Sequence, residues 1–252
     1  MPKSLLDFMA PPSALPEAFR PQKSLSLSEL LDPREGERIL VLGYGDLQVL
    51  EAWQKRGTEL LLCVQSEAEA VKARKAGVRA VLAQAEYLSD RQRFDGIILL
   101  DPGYRMHQPE RAIRHLVRAL KRGGRLLMEL PLNGHLEAAG EVLDRVLGDR
   151  GCREEVERIE YPPANVWRNA LQRAGVSLEE DRIIYRHRRI SRERLEEWGE
   201  GLIRPSALLL DPAEGKKMID QLRQAMEACC ENGFFLDEEV LLRVVGAAHQ
   251  EG

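Results

Sequence analysis

Five short apolar runs between Arg38 and Pro131 constrain this chain more than any other feature. They read RILVLG, ELLLCVQ, VRAVLA, FDGIILLD and RLLMELP, and helical patterns separate most of them. Runs that stay apolar instead of alternating with polar residues belong to strands buried on both faces. Strands that alternate with helices form a parallel sheet covered on both sides, so the expectation is an α/β domain. The intervening helices are expected over Leu47–Arg56, over EAEAVKARKAG closed by Gly77, over PERAIRHLVRALKRGG with a glycine stop, and over His135–Leu147.

After Cys152 the rhythm changes. YPPANVWRNALQRAGV reads as a proline-started helix, EEDRIIYRHR as a strand, SRERLEEWGEG and PAEGKKMIDQLRQAMEACCENG as charged helices, and EEVLLRVVGAA as a last strand. Two late strands that bracket two helices predict a sheet completed around an inserted helical cap. The expected organisation is an N-terminal arm over 1–35, rich in Pro, Ser and Leu with a short helix near 25–31. An α/β core follows over 36–189, then a helical cap over 190–237, then a final strand and tail over 238–252.

Composition sets the outer bounds. A chain of 252 residues that is 44% hydrophobic supplies an ordinary core, and its net charge of −4 argues against a general nucleic-acid binder. No segment approaches about twenty uninterrupted apolar residues, and MPKSLLDFMAPPSALPEAF lacks the apolar run of a signal peptide. The expectation is a cytoplasmic protein without a membrane partner. Cys63, Cys152, Cys229 and Cys230 follow neither zinc spacing nor a disulfide framework and are expected as free thiols. The adjacent Cys229 and Cys230 fall in a helical pattern, where cysteine acts as a small apolar residue.

Chemistry concentrates at the first turn. Ligands of open parallel sheets bind at the carboxyl ends of the strands, where a glycine lets backbone approach a nucleotide. Gly43 and Gly45 stand at that point, although Gln48 occupies the place of the next glycine in the dinucleotide pattern. A plain tight turn would use the same two glycines. Asp46 suits either a helix N-cap or a contact with a ligand's ammonium group.

In their order, RILVLGYGD, CVQSEAEAVKARKAG, LAQAEYLSDRQRFDGIILL and HQPERAIRHLVRALKRGGRLLMELP resemble the class I S-adenosylmethionine-dependent methyltransferases. Further on, LPLNGHLEAAGEVL, WRNALQRAGV and LEEWGEGLIRP look like the trans-aconitate methyltransferase group. The resemblance covers roughly 36–247 and is strongest over 36–131. It implies a doubly wound, mostly parallel seven-stranded α/β sheet, Rossmann-like, with a small helical cap. It also implies S-adenosylmethionine as cofactor and a small-molecule acceptor. Carried onto this sequence, Gly43 and Gly45 contact the methionine part, Gln65 replaces the acid that holds the ribose, and Gln84 replaces the Asp beside adenine. Leu47 replaces a third glycine. Glu86 and Tyr87 are alternative partners for the adenine edge.

LLDPGY, with Asp101 and Tyr104 after the fourth strand, resembles the Asp-Pro-Pro-Tyr motif of amino-group methyltransferases, but Gly103 breaks it and Asp-Pro-Gly is also common turn chemistry. Arg204 in LIRP matches an Arg of the trans-aconitate group that would pair with a carboxylate acceptor. RHRRISRER is either an anion-attracting patch or a salt-bridged strand end. His107 and His115 have no third ligand beside them for a metal, and Trp167 and Trp198 are expected to pack the cap. The leading expectation is methyl transfer to a carboxylate oxygen of a small molecule, with Tyr104 and Arg204 on the acceptor side. The alternatives are a methyltransferase-like protein that has lost its cofactor and serves as a structural or regulatory partner, and an amino-group methyltransferase using Asp101 and Tyr104.

Overall fold

A computed structural model describes residues 31–43, 47–99, 106–150, 161–196, 198–199 and 212–248. Gly45, Asp46, Asp101, Tyr104 and Arg204 lie outside the described residues, as do Cys152 and nearly all of the expected N-terminal arm.

The first half alternates strand and helix as its apolar runs require: β1 (Arg38–Leu42), α1 (Leu47–Lys55), β2 (Glu59–Val64), α2 (Glu67–Lys75), β3 (Ala80–Leu82), β4 (Phe94–Leu99), α3 (Pro109–Ala119) and β5 (Leu120–Pro131). The second half adds α4 (Glu137–Arg150), α5 (Ala164–Arg173), β6 (Val176–Ser191), α6 (Pro212–Ala228) and β7 (Phe234–Ala248). The seven strands lie in the order β3-β2-β1-β4-β5-β7-β6, and β7 alone runs against the rest. The order in which successive strands are added reverses between the parallel neighbours β1 and β4, which creates a switch point at their carboxyl ends.

Alternate residues of each central strand feed opposite cores. Leu40, Leu42, Ile97, Leu99, Leu126 and Met128 pack with Ile113 and Leu116 of α3 and Trp167 and Leu171 of α5. Ile39, Val41, Leu62, Val64, Ile98 and Leu127 pack with Leu50 and Trp53 of α1. Each such aliphatic side chain contributes roughly 1.5–3 kcal/mol of burial, which explains why both faces of every central strand are apolar. A third cluster joins Val142, Leu143 and Val146 of α4 to Met218, Leu222 and Met226 of α6 and to Phe235 of β7. Trp198 joins this cluster, whereas Trp167 belongs to the first core and donates its indole N–H to the Pro131 carbonyl at 3.2 Å.

Several element ends differ from expectation: β6 runs Val176–Ser191 and β7 begins at Phe234, each longer than the expected strand, and two helix ends shift. Helix α3 stops at Ala119, short of the glycine pair, because Leu120 turns extended (φ −69°, ψ 142°) and is fully buried as it pairs with Phe94. Lys121 then reaches Asp95 at 2.8 Å. Gly123 and Gly124 therefore shape a bend inside β5: Gly123 has φ +70°, and a Cβ on Gly124 would lie 2.9 Å from the Lys121 carbonyl. Helix α4 begins at Glu137 rather than His135. Leu136 takes φ +53°, and Asp237 of β7 caps the helix by accepting from the Ala138 and Ala139 amides at 3.3 and 3.1 Å.

The basic run after Tyr185 is partly neutralised from within the sheet. Glu129 of β5, 1% exposed, accepts from Arg243 directly opposite it in β7 (Nε at 2.9 Å) and from Arg186 of β6. Glu239 accepts from Arg188 at 2.7 Å. Buried ions tolerate desolvation only when paired in this way. No helix among the described residues is long and apolar enough to cross a membrane.

Candidate functional site

The carboxyl ends of β1, β2 and β3 are laced side by side. Gly43 leaves β1 with φ +82°, a conformation that L side chains rarely adopt, and its amide donates to the Cys63 carbonyl at 2.9 Å. Ala83 donates to the Val64 carbonyl at 3.1 Å, and the Cys63 thiol lies 3.3 Å from the Ala83 carbonyl. These bonds hold the residues after three neighbouring strands along one edge. That edge brings together Gly43, Gln65 and Gln84, which are far apart in sequence.

Gln65 is half-buried and leads directly into Ser66, the N-cap of α2. Ser66 and Glu69 form a capping box: the Glu69 amide donates to Ser66 Oγ at 3.2 Å, and Glu69 Oε2 accepts from the Ser66 amide at 3.1 Å. The same carboxylate oxygen lies 3.3 Å from the Gln65 amide. Glu69 is therefore committed to the helix start, and the Gln65 side chain is the one at the strand end. Serine followed by glutamate three residues later is the sequence signal for this arrangement.

Beyond β3, Gln84 is exposed and precedes a single 3-10 turn over Ala85–Tyr87; its side chain makes no capping bond. The turn is pinned to α3 from several sides. Glu86, 2% exposed, accepts from the Gln108 amide at 3.2 Å through Oε1, while Oε2 is buried without a partner. His115 Nδ1 lies 2.6 Å from the Leu88 carbonyl, which fixes the Nδ1-protonated tautomer. Arg111 stacks over Tyr87 at 5.0 Å while the ring stays 63% exposed. Glu86 thus braces the start of α3, leaving Gln84 as the open polar side chain of this turn.

The turn between β5 and α4 contributes one further titratable group, His135. His135 is 5% exposed, meets Tyr161 edge-on at 5.0 Å, and has both ring nitrogens buried. Burial, aided by the nearby Arg188 charge and opposed by the Val240 carbonyl, lowers its pKa to about 4. The imidazole is neutral at physiological pH.

Two hollows among the described residues lie away from this edge. One, of about 580 Å³, opens at the amino ends of β1 and β2 beside Arg38, Thr58 and Arg79. The other, of about 710 Å³, lies between the carboxyl ends of α3 and α5 and carries Arg91, Arg114, Arg118 and Arg173.

Residues 40–128, which span β1 to β5 and include the whole edge, match the sequence profile of a family described as a methyltransferase domain. No curated protein matches the chain significantly. Among solved structures, a proposed methyltransferase from Bacillus halodurans C-125, BH2331, aligns with TM-score 0.53 at 16% identity, covering 87% of this chain and 96% of that one. The cyclopropane synthase MmaA2 from Mycobacterium tuberculosis aligns with TM-score 0.52 at 11% identity, covering 90% and 87%. A phosphoethanolamine N-methyltransferase from Haemonchus contortus, solved with phosphomonomethylethanolamine and S-adenosylhomocysteine, aligns with TM-score 0.50 at 15% identity, covering 89% of this chain and 52% of that one. At these identities the likeness establishes the fold. The architecture is the Rossmann-like fold of class I methyltransferases, with a methyltransferase-domain profile over its first five strands.

Proposed function

We propose that this protein is an S-adenosylmethionine-dependent methyltransferase acting on a small molecule. The observation that carries the reading is Gly43: a left-handed turn at the switch point, tied to Cys63, where the absence of a side chain leaves the backbone open to close approach. The methyltransferase-domain profile over 40–128 supports it.

The residues present fit the cofactor, with a weaker grip than carboxylates would give. Gln65 offers one carbonyl acceptor to the ribose hydroxyls, and Gln84 offers both an acceptor and a donor to the adenine edge. Charge-assisted hydrogen bonds contribute roughly 1.5–3 kcal/mol against about 1 for neutral ones, so each amide costs about tenfold in affinity. Bound S-adenosylmethionine would supply an electrophilic methyl on its sulfonium; the chain's part is to orient it and exclude water.

For the acceptor we favour a carboxylate oxygen, ionised at neutral pH, whose transfer depends on orientation and charge neutralisation more than on a general base. Arg204 is the proposed partner of that carboxylate, and Tyr104 is the second residue proposed for the acceptor side. Methyl transfer from labelled S-adenosylmethionine to a panel of di- and tricarboxylates, run beside primary amines, tests this. Label in a base-labile ester is the expected product. Label in an amine would move the reading to Asp101 and Tyr104, and label in neither would favour a protein that has lost catalysis.

A further inference from the structure

Among the described residues the sheet ends on an open strand. β6 runs 16 residues, pairs with β7 on one side, and among the described residues no backbone hydrogen bond reaches its other side. Proteins blunt such edges with prolines, short strands, bulges or charges. β6 has no proline, and its one irregularity lies at its start, between Leu178 and Glu180. Its charges are largely segregated by sign: Glu179, Glu180 and Asp181 come first, followed by Arg182, which is ion-paired to Glu180, and Arg186, His187, Arg188 and Arg189 come last. Between them Ile183 and Tyr185 are 42% and 60% exposed on the same face.

We propose that β6 pairs antiparallel with β6 of a second copy of this chain, about a two-fold axis through Ile184, joining the two sheets edge to edge. Directly opposed residues in an antiparallel pair share a face, so their numbers must sum to an even value when the axis is perpendicular to the sheet. With the axis at Ile184, Ile183 faces the partner copy's Tyr185, while Glu180 and Asp181 lie opposite Arg188 and His187. Glu180, Asp181 and Arg188 are already ion-paired within their own chain, to Arg182, Arg168 and Glu239, so the charges match by sign across the axis and the apolar contact supplies the adhesion. Every one of these contacts occurs twice, and each opposes apolar to aromatic or acid to base. Arg182 meets Arg186, but both are already paired within their own chain, to Glu180 and Glu129. A parallel apposition in register would instead set like charges against like.

Sedimentation equilibrium of the full chain at about 50 μM is expected to give a dimer of the 28.6 kDa subunit. Ile183→Lys and Tyr185→Glu alter exposed side chains, so each should retain the wild-type circular dichroism spectrum and melting temperature. Each alone should raise the dimer dissociation constant at least tenfold. Mixing the two variants, or combining both changes in one chain, sets the introduced lysine against the introduced glutamate across the axis and should restore dimerisation to within a few-fold of wild type. A wild-type chain that stays monomeric overturns the proposal, including the case in which the edge serves a strand from a different protein. A dimer indifferent to both variants, or variants whose mixture fails to associate, overturns this register.

Discussion

Replacing His135 by Phe should remove an acid sensitivity that the wild-type fold carries. The unfolded chain binds a proton on this imidazole near pH 6.5, while the folded one resists until about pH 4. The folded pKa is depressed, so the stabilising neutral state is fully present above pH 6.5 and is lost as pH falls toward 4. Each pH unit in that window removes about 1.4 kcal/mol, for a total of about 3 kcal/mol. Phe keeps a ring against Tyr161 without a titrating group. Urea unfolding of both proteins, followed by fluorescence of the buried Trp53 and Trp167 between pH 4.5 and 7.5, gives the comparison. The wild type should lose about 2–3 kcal/mol more than the variant across that range. Other groups that titrate in acid are common to both proteins and cancel: Glu37, whose pKa Arg125 lowers, and Asp237, whose pKa burial raises. Parallel pH profiles would refute the claim that His135 is held neutral by burial.

Gly246→Ala should destabilise the fold by about 1–3 kcal/mol in the same assay, because its Cβ would sit 2.6 Å from the Ser177 carbonyl, backbone that cannot step aside. Gly43→Val should cost about 1–2 kcal/mol in stability for its left-handed φ and weaken S-adenosylhomocysteine at least tenfold by calorimetry in the folded protein. Gln65→Asp combined with Gln84→Asp should tighten cofactor binding by more than about tenfold, read by the same titration. A loss of affinity there would mean that the native amides serve a different ligand.

The layered sheet was legible because burial on both faces leaves its mark in the local sequence: ILVLG and GIILL are apolar throughout, as central strands must be. Where tertiary contacts decide, the sequence misled. Leu120 leaves helix α3 to pair with Phe94, and β7 starts at Phe234 because Phe235 fills the cluster beneath α4 and α6. Gly43, Gln65 and Gln84 could be placed because each follows an apolar run by one or two residues. The buried state of His135 could not, since it depends on Tyr161 and Val240, distant in sequence. Likewise Glu129 reads as an interruption of RLLMELP until its partners Arg243 and Arg186 arrive, 114 and 57 residues later.

The central claim is that the edge formed by Gly43, Gln65 and Gln84 holds S-adenosylmethionine. Isothermal titration of the purified chain with S-adenosylmethionine and S-adenosylhomocysteine tests it most directly. The account predicts saturable binding of both, with dissociation constants below about 100 μM, roughly −5.5 kcal/mol. No detectable heat with either ligand at millimolar concentration would contradict it and leave a methyltransferase fold without its cofactor.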